Sequence, residues 1–470
     1  MSGGPPSRES IPQACRPDHA VTSQFVGSLK CSLASGDEKA VTELLRTQIR
    51  HVDAIIELNN DDWMKEPSAR IPPHVLLGDL SLIQLLGARQ ADRVFEVRER
   101  EMCYQTQTPA RFGLTGLWTL EYTQELTTPL CITCAHGYTE CARYLLHRRA
   151  DANAAPGGRS PLHEACIGGH GDCVQLLLEY GANANKKSED GLSPLHYCNT
   201  NGSLRCAELL LQHGAIVNQV TEDTQDTPLH VAAQLGLLSH AELYLVRGAM
   251  IDLKNQEGET PLSAACRGKG GDEDSYLEIC RLLLKRGADP DTQDQQERRP
   301  LHHACREGKH KLVELLLAAN VDVNATDYSG VLPLSCALQS AELHCDKKPQ
   351  IIVRSLLNHG ARCVCPEAFG KVLRYCSGLP EIIALLYNSY ISLQVCSKWK
   401  QEISEEVIQT HQYFYTRFFS LSGSIRSLQH LCRFALRRHF GSRCHRLIPL
   451  LPIPKPIQDY LLLINEGSLL

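Results

Sequence analysis

Residues 227–236 read TPLHVAAQLG, and this stretch decides the fold because close copies of it recur along the chain. Two neighbouring copies are SPLHYCNTNG, from Ser193, and TPLSAACRG, from Thr260. The proline of the motif marks seven copies in one phase: Pro129, Pro161, Pro194, Pro228, Pro261, Pro300 and Pro333. Successive prolines are 32, 33, 34, 33, 39 and 33 residues apart. This period predicts a stack of small repeated units.

Each copy has the residue types of a helical hairpin. A hydroxyl residue before proline starts a helix well, because the hydroxyl satisfies a free backbone N–H and proline tolerates the first helical position. Sixteen residues after Pro161, Leu177 and Leu178 supply the apolar face of a second helix. A glycine such as Gly181 or Gly214 then suits a helix end with positive φ. We expect each hairpin to bury its apolar face only by stacking on its neighbours.

The copies differ from one another only locally. Those that begin at Pro261 and Pro333 carry insertions of 6 and 7 residues between their two halves, around residues 268–274 and 341–348. Arg299 and Leu332 replace the hydroxyl residue, and Asn320 replaces the turn glycine. We expect these changes to weaken individual helix ends and to leave the fold intact.

The clear repeats are flanked by less regular sequence. We predict a disordered segment at residues 1–24 and divergent or capping repeats at 25–116. Residues 25–48 place Leu29, Gly36, Leu44 and Leu45 at repeat offsets, and residues 49–116 are predicted to hold one or two irregular copies. Residues 363–423 lack the motif and are predicted to form a capping pair of helices and a linker.

A 33-residue period with T-P-L-H-x-A resembles the ankyrin repeat, and residues 117–362 carry seven copies. The resemblance implies an all-α ankyrin-repeat solenoid, built from helix-turn-helix repeats with hairpin loops. It also implies that a partner protein is bound by variable hairpin tips and the concave helix face, without a transferable motif. The candidate tips are residues 186–191, 221–225, 255–259, 293–298 and 327–330.

The composition changes after Phe419. From Ser424 to Lys455 there are six arginines, one lysine and no acidic residue. Residues 427–441, SLQHLCRFALRRHFG, predict a helix that Ser427 starts and Gly441 ends. Its apolar positions share one face: Leu428, Leu431, Cys432, Ala435 and Leu436. These residues alone leave open whether this is the last core helix of the repeats.

Residues 447–464, LIPLLPIPKPIQDYLLLI, follow this helix. Four prolines predict an extended, polyproline-like segment up to Pro456. Pro456 is then expected to open a short helix with an apolar stripe of Ile457, Tyr460, Leu461 and Ile464.

These two parts together resemble the SOCS box. Ser427, Leu428, Cys432 and Leu436 are similar to the S-L-x-x-x-C-x-x-x-L box that binds elongin C, with Leu431 on the same face. Leu451, Pro452, Ile453 and Pro454 resemble the L-P-x-P box that selects a cullin, cullin-5 in most of the family. We therefore predict a small helical SOCS-box module at residues 424–465.

With the repeats, this combination is similar to the ankyrin-repeat and SOCS-box family over nearly the whole chain. The resemblance implies a substrate-recognition subunit of a ubiquitin ligase. The repeats would capture a protein substrate, and the module would recruit elongins B and C, a cullin and a RING protein, so that the substrate is ubiquitinated and degraded. The alternative is an ankyrin scaffold without a ligase role. We expect no catalytic residue and no cofactor, because nucleotide-binding and nucleophile motifs are absent from the sequence.

The 21 cysteines suggest metal binding, but the repeat frame favours a packing role. Cys134, Cys166, Cys266 and Cys305 all lie five residues after a repeat proline, where a small buried residue is needed. The histidines His163, His196, His230 and His302 occupy the fourth position of the motif and are expected to hydrogen-bond between adjacent turns. We predict no metal site.

Charge and hydropathy limit the remaining partners. A net charge of −5 and a pI near 6.5 argue against a nucleic-acid partner. No apolar stretch is long enough for a membrane span, and no signal sequence is indicated, so we expect an intracellular protein. The expected location is cytoplasmic, with the nucleus left open. The arginines at 426–446 are either a solvated helix face or a contact with the adaptor or cullin.

Overall fold

The computed structural model describes residues 28, 31–32, 35–48, 56–57, 126–268, 272–422 and 426–464. Within these residues the regular secondary structure is helical apart from one antiparallel pair of two-residue strands, β1 (Ile56–Glu57) and β2 (Leu126–Thr127), in which Ile56 faces Thr127. The predicted fold class, an ankyrin-repeat solenoid with a small helical C-terminal module, is confirmed. The chain divides into two compact units, residues 1–183 and 184–470.

The first unit contains the first two clear repeats. Its helices are α1 (Glu38–Gln48), α2 (Pro129–Ala135), α3 (Thr139–His147), α4 (Pro161–Gly168) and α5 (Gly171–Glu179). Helix α1 packs on α3, and the Glu38 carboxylate accepts from the backbone N–H groups of Glu140 (3.1 Å) and Cys141 (3.3 Å). A carboxylate at a helix start is favourable because it satisfies free N–H groups. The predictions for residues 1–24 and 49–116 lie outside the described residues, except for Ile56 and Glu57.

The second unit begins with five repeats. Their helices are α6 (Leu204–Gln212), α7 (Pro228–Leu235), α8 (Leu238–Val246), α9 (Pro261–Arg267), α10 (Glu273–Lys285), α11 (Pro300–Arg306), α12 (His310–Ala318), α13 (Pro333–Gln339) and α14 (Pro349–Asn358). Equivalent helices of adjacent repeats pack on one another, as α9 does on α11 and α12 does on α14. The core is therefore continuous along these repeats.

The rest of the second unit follows α14. Its helices are α15 (Phe369–Cys376), α16 (Pro380–Tyr387), α17 (Glu405–Thr410), α18 (Gln412–Ser420), α19 (Leu428–Phe440), α20 (Cys444–Leu447) and α21 (Lys455–Leu461). Helices α15 and α16 follow the repeats and pack on α13 and α14 respectively, and α17 and α18 occupy the rest of the stretch predicted to hold capping helices and a linker.

The motif histidines connect adjacent repeats. In the fourth repeat, His230 Nδ1 accepts from the Thr227 N–H (3.2 Å), and Nε2 donates to the Glu259 carbonyl of the next repeat (3.1 Å). Burial lowers the pKa of His230, which keeps the ring neutral in the tautomer that these bonds require. His196 and His302 bond the next repeat in the same way. The role predicted for these residues matches the structure.

The turn residues also match the prediction. Gly214 and Gly248 have φ of 84° and 87°, and Asn320, which replaces glycine, has φ of 59°. Asparagine tolerates this left-handed conformation better than most residues, so the substitution is accommodated. Asn185 links two turns, because its Oδ1 accepts from the Ile216 N–H (2.8 Å) and its Nδ2 donates to the Gly214 carbonyl (3.0 Å).

The third repeat departs from the predicted hairpin. Its first helix is only a 3₁₀ turn, Pro194–Tyr197, although the Ser193 and His196 start is intact. The sequence that follows, Asn199-Thr200-Asn201-Gly202, consists of poor helix formers, so the turn does not extend. The expectation of a full first helix was wrong here.

The insertion in the fifth repeat partly lengthens a helix. Helix α10 has 13 residues, whereas its counterpart α12 has nine. The buried Lys309 ammonium donates to the carbonyls of Ala265 (3.1 Å) and Gly268 (2.6 Å), at the end of α9, and lies 3.8 Å from the centre of the Tyr276 ring. A cation at a helix C-terminus is favourable, so Lys309 caps the C-terminal end of α9, where the insertion begins.

Candidate functional site

The C-terminal module has a small core of its own. Cys444, Ile448, Leu461 and Leu462 are buried together. Five further side chains pack on them and are partly buried: Phe440, Leu451, Ile453, Tyr460 and Ile464. Two residues of the predicted cullin box, Leu451 and Ile453, therefore contact this core.

Helix α19 begins and ends as its sequence predicts. The Ser427 hydroxyl accepts from the His430 N–H (3.2 Å), and Gly441 follows the last turn with φ of 57°. This start and stop fix which residues share a face of the helix.

The apolar face of α19 points outward. Leu428 is 76% exposed, and Leu431 and Leu436 are each 39% exposed. Cys432 and Ala435 are exposed as well. The structure thus brings the predicted elongin-binding residues together on one face that the described residues leave exposed. The alternative of a last core helix with this face inward is wrong.

The opposite face of α19 is polar and buried. Arg433 is 1% exposed, and its guanidinium donates to the Asn388 carbonyl (3.1 Å) and the His430 Nδ1 (3.0 Å) while lying 4.2 Å from the centre of the Tyr460 ring. His430 Nε2 in turn donates to the Tyr390 carbonyl (2.7 Å). These bonds attach α19 to the end of α16.

Burial shifts the ionisation of this polar face. It lowers the pKa of His430 to about 4, and the neighbouring guanidiniums of Arg426 and Arg433 add to that effect. It also lowers the pKa of Arg433 to about 10, so the guanidinium remains charged at neutral pH. A buried charge is tolerated only where hydrogen bonds replace its hydration. The carbonyl at Asn388 and the ring of Tyr460 provide this compensation.

The basic run therefore divides into two groups. Arg426, Arg433 and Arg437 bond groups at the ends of α14, α16 and α21, whereas Arg438, Arg443 and Arg446 are exposed. The inward group corrects the prediction for these three residues, since Arg433 is buried, Arg426 and Arg437 are half-buried, and all three bond to other parts of this chain. Their direction follows from the free carbonyls at helix ends, which attract cations.

The predicted cullin box has mixed exposure. Pro452 and Pro454 are exposed, and Leu451 and Ile453 are half-buried. The prediction of an extended segment throughout was wrong, because α20 reaches Leu447 and a 3₁₀ turn covers Ile448–Leu450. Pro449 fits there because proline is tolerated in a first helical turn. Extended backbone remains at Leu451 and Pro454, with ψ of 137° and 143°.

Sequence reasoning missed a buried charged cluster in the fifth and sixth repeats. His303 Nε2 lies 3.3 Å from the Asp294 Oδ2 and 3.9 Å from the Glu259 Oε1. Arg298 pairs with Asp294 (2.9 Å), and Arg267 pairs with Glu259 (2.8 Å).

The two carboxyls of this cluster respond differently to burial. Burial alone raises the pKa of Asp294, but hydrogen bonds from His303 and Arg298 outweigh it and hold the pKa at about 2. Burial raises the pKa of Glu259. A polar cavity of about 360 Å³ is bordered by Arg267, Arg298 and His303, which are the partners of the two carboxyls. Since each carboxylate already has an arginine, we interpret the cluster as an internal ion-pair network. No motif in the sequence signals it.

The motif cysteines lie where the repeat frame places them. Cys134, Cys166, Cys266 and Cys305 are fully buried. Burial raises the pKa of Cys305, which keeps it a thiol. In the part of the chain that the structure describes, no helix has the length and apolar character needed to cross a bilayer.

Comparison with known proteins identifies the two parts. A family model of ankyrin repeats (three copies) matches residues 118–188, 180–255, 238–327 and 272–366, and a SOCS box model matches residues 424–462. Human ankyrin repeat and SOCS box protein 18 is 52% identical over 459 residues, which cover 96% of this chain and 98% of that protein. Mouse ankyrin repeat and SOCS box protein 16 is 39% identical over 396 residues, with 83% and 85% covered.

Among solved structures, the ankyrin repeat domain of human ASB11 matches with 29% identity and a TM-score of 0.41. The match covers 45% of this chain and 92% of that structure.

Proposed function

Because the chain belongs to the ankyrin repeat and SOCS box family, we propose that it is the substrate-recognition subunit of an elongin–cullin–RING ubiquitin ligase. In this proposal the repeats hold a protein substrate and the C-terminal module recruits the ligase. The chain itself supplies positioning and no catalytic group. The proposed location is the cytoplasm.

The observation that carries the proposal is the orientation of α19. Three leucines face solvent while two charged or polar residues, His430 and Arg433, are buried. Exposing apolar area costs about 25 cal/mol per Å², so a contiguous leucine face is unfavourable unless a partner covers it. Leu428, Leu431, Cys432 and Leu436 are the residues whose pattern resembles the elongin C box. We assign them as the elongin contact.

The cullin contact is proposed for the neighbouring box. Pro452 and Pro454 are free to touch a partner, whereas Leu451 and Ile453 hold the loop on the core of the module. The two prolines limit the backbone and so reduce the entropy that a partner must overcome on binding. The family resemblance favours cullin-5, acting with a RING protein.

The repeats offer a rigid surface for the substrate. Their hairpin tips hydrogen-bond in series, from Gln256 N–H to the Thr224 carbonyl (2.8 Å), from Gln295 to Glu257 (2.9 Å) and from Tyr328 to Gln296 (2.9 Å). Tips fixed in this way lose little entropy when a substrate binds. An ankyrin scaffold with no ligase partner is the competing function.

The proposal is tested by a double variant, Leu428→Ala with Cys432→Phe. It removes a leucine from the exposed face and places an aromatic ring at its centre, so recovery of elongins B and C with the tagged chain should fall at least tenfold. Gln429→Ala, also exposed on α19, is the matched control and should recover elongins like the parent chain. Substrate ubiquitination by the double variant should be lost in parallel.

Two outcomes would oppose the proposal. Equal elongin recovery with the double variant and the parent would remove the adaptor assignment. Absence of elongins from the parent itself would favour the scaffold function. Unchanged melting of the double variant would show that its loss of binding does not arise from unfolding.

A further inference from the structure

The seventh repeat ends in polar groups whose hydrogen bonds are completed by the C-terminal module. The last carbonyls of any helix lack partners within that helix. At the end of α14, the Arg437 guanidinium donates to the Leu357 carbonyl (3.1 Å) and the Asn358 Oδ1 (2.6 Å), and it also donates to the Leu461 carbonyl of the module (2.8 Å). One side chain thus connects α14, α19 and α21.

The turn after α14 completes this contact. The Asn358 Nδ2 donates to the Leu462 carbonyl (2.9 Å), so both polar atoms of the Asn358 amide are used by the module. A Cβ at Gly360 would lie 2.8 Å from the Cα of Ser442, a separation that only glycine allows. The rings of His359 and His445 stack 3.7 Å apart beside it.

A second contact joins the module to α16. The Arg426 guanidinium donates to the Tyr387 carbonyl (2.7 Å) and lies 3.7 Å from the centre of the Tyr387 ring. Arg433 and His430 bond the Asn388 and Tyr390 carbonyls, at the same helix end. Attachment at two separate helix ends restrains rotation as well as translation of the module.

We propose that Arg437 and Asn358 lock the module onto the seventh repeat, so that the leucine face of α19 keeps a fixed direction relative to the repeats of the second unit. Arg437 is a positioning residue, because its bonds lie on the side of α19 away from the elongin-binding face. This inference rests on the proposed function. In the assembled ligase, the lock sets where a captured substrate lies relative to the ubiquitin-carrying partners. Ubiquitin transfer requires a substrate lysine within reach of the ubiquitin-carrying partner. A loosely attached module therefore reduces the fraction of complexes in which transfer can occur.

The test compares two arginines of one helix, Arg437→Met and Arg438→Met. Arg438 is exposed and serves as the matched control. Spin labels are placed at Glu208 on α6 and Gln429 on α19, both exposed, through a non-canonical amino acid because the chain has 21 cysteines. Double electron–electron resonance on the full chain then measures the distribution of distances between the labels.

The parent and Arg438→Met should give one narrow distance distribution. Removing three charge-assisted hydrogen bonds in Arg437→Met should raise the undocked fraction by roughly tenfold or more, which appears as a broad second population. An unchanged distribution in a folded Arg437→Met chain would overturn the proposal. Should this variant fail to fold, Asn358→Ala, which removes one of these three bonds together with the Asn358 Nδ2 bond to the Leu462 carbonyl, should also broaden the distribution, and an unchanged distribution would again overturn the lock.

A functional assay separates this inference from the proposed function. Arg437→Met should retain elongin recovery, because its leucine face is intact, while ubiquitinated substrate falls several-fold or shifts to other lysines. Elongin recovery that fails in the parent contradicts the ligase role and leaves the distance measurement valid. Full ubiquitination by Arg437→Met, with an unchanged pattern of modified lysines, would show that the lock does not position the substrate.

Discussion

Helices α12 and α19 have similar spacing of apolar residues, but the apolar face of α12 points into the core and that of α19 points to solvent. In α12, a repeat helix, Leu312, Val313 and Leu316 are fully buried against neighbouring repeats. In α19, Leu428 and its neighbours face solvent, and His430 and Arg433 are the buried residues. An apolar stripe predicts that something will cover it, but not whether the cover belongs to the same chain. The repeats cover their own apolar faces, whereas the leucine face of α19 is exposed, and we propose that another protein covers it.

The largest expected difference between these helices is in stability. Leu316→Ala should lower the free energy of unfolding by about 2–4 kcal/mol, because it leaves a cavity in a close-packed core. Leu428→Ala should change it by no more than about 0.5 kcal/mol, since the side chain is mostly hydrated. Urea denaturation of the two variants measures the contrast. Similar losses would mean that Leu428 is covered within the chain.

The cullin box allows a cleaner test than a change of all its residues. Since Leu451 packs on the module core, its replacement would confound folding with binding, so we choose Pro452→Ala with Pro454→Ala. Cullin affinity should fall by roughly tenfold, because alanine frees a backbone that proline restricts. Elongin recovery from the same immunoprecipitate should not change. Equal loss of both partners would show that the module is one indivisible binding unit.

A turn substitution tests whether the repeats depend on local backbone geometry. Gly214→Val should cost about 1 kcal/mol or more, since a β-branched residue is strained at the φ of 84° found there. There is open space around the Cβ position, so the cost is conformational. Gly202 has similar space without positive φ and gives the control, Gly202→Val. Limited proteolysis should open the chain near residue 214 only in the first variant, and equal resistance of both variants would contradict the assigned turn.

A further expected effect concerns pH. The buried His430 has a pKa of about 4, below its value of about 6.5 in an unfolded chain. Between these values the unfolded state binds the proton and the folded state does not, so the stability that His430 contributes falls as pH drops from about 6.5 towards 4.

The matched variant for this test is His430→Gln. Thermal melts from pH 7 to 4.5 should show its deficit relative to the parent shrinking as pH falls, because the parent alone loses the contribution of His430. Burial also lowers the pKa values of three other histidines, His196, His230 and His302. Their effect on stability is the same in the parent and the variant, so it does not change the deficit. A constant deficit would mean that the pKa of His430 is the same in the folded and the unfolded chain.

The sequence predicts the repeats well because their decisive interactions are local. The His230 ring accepts from the N–H of Thr227, three residues earlier, at the start of its own helix, and Gly214 ends its own helix. The motif residues therefore determine most of the structure of each repeat by themselves. The sequence also predicts that the leucines of α19 share one helix face, but these residues alone leave open whether that face is exposed. The short first helix of the third repeat could have been read from Asn199 to Gly202, where helix formers are lacking.

The direction of the arginines could not be predicted in this way. Arg437 meets the Leu357 carbonyl 80 residues away, and Arg433 meets the Asn388 carbonyl 45 residues away. A backbone carbonyl leaves no mark in the sequence, so only the packing of α19 on α14 and α16 reveals these partners. The Glu259, Asp294 and His303 cluster was missed for a similar reason, since its members come from two repeats and from different positions in each.

The central claim is that the leucine face of α19 is the surface that another protein covers. Calorimetric titration of the purified chain with purified elongin B/C heterodimer tests it most directly. We predict saturable one-to-one binding with a negative heat-capacity change, the mark of apolar burial, and its loss in the Leu428→Ala, Cys432→Phe variant but not in Gln429→Ala. Binding of equal strength by the double variant, or no heat of binding by the parent chain, would contradict the claim.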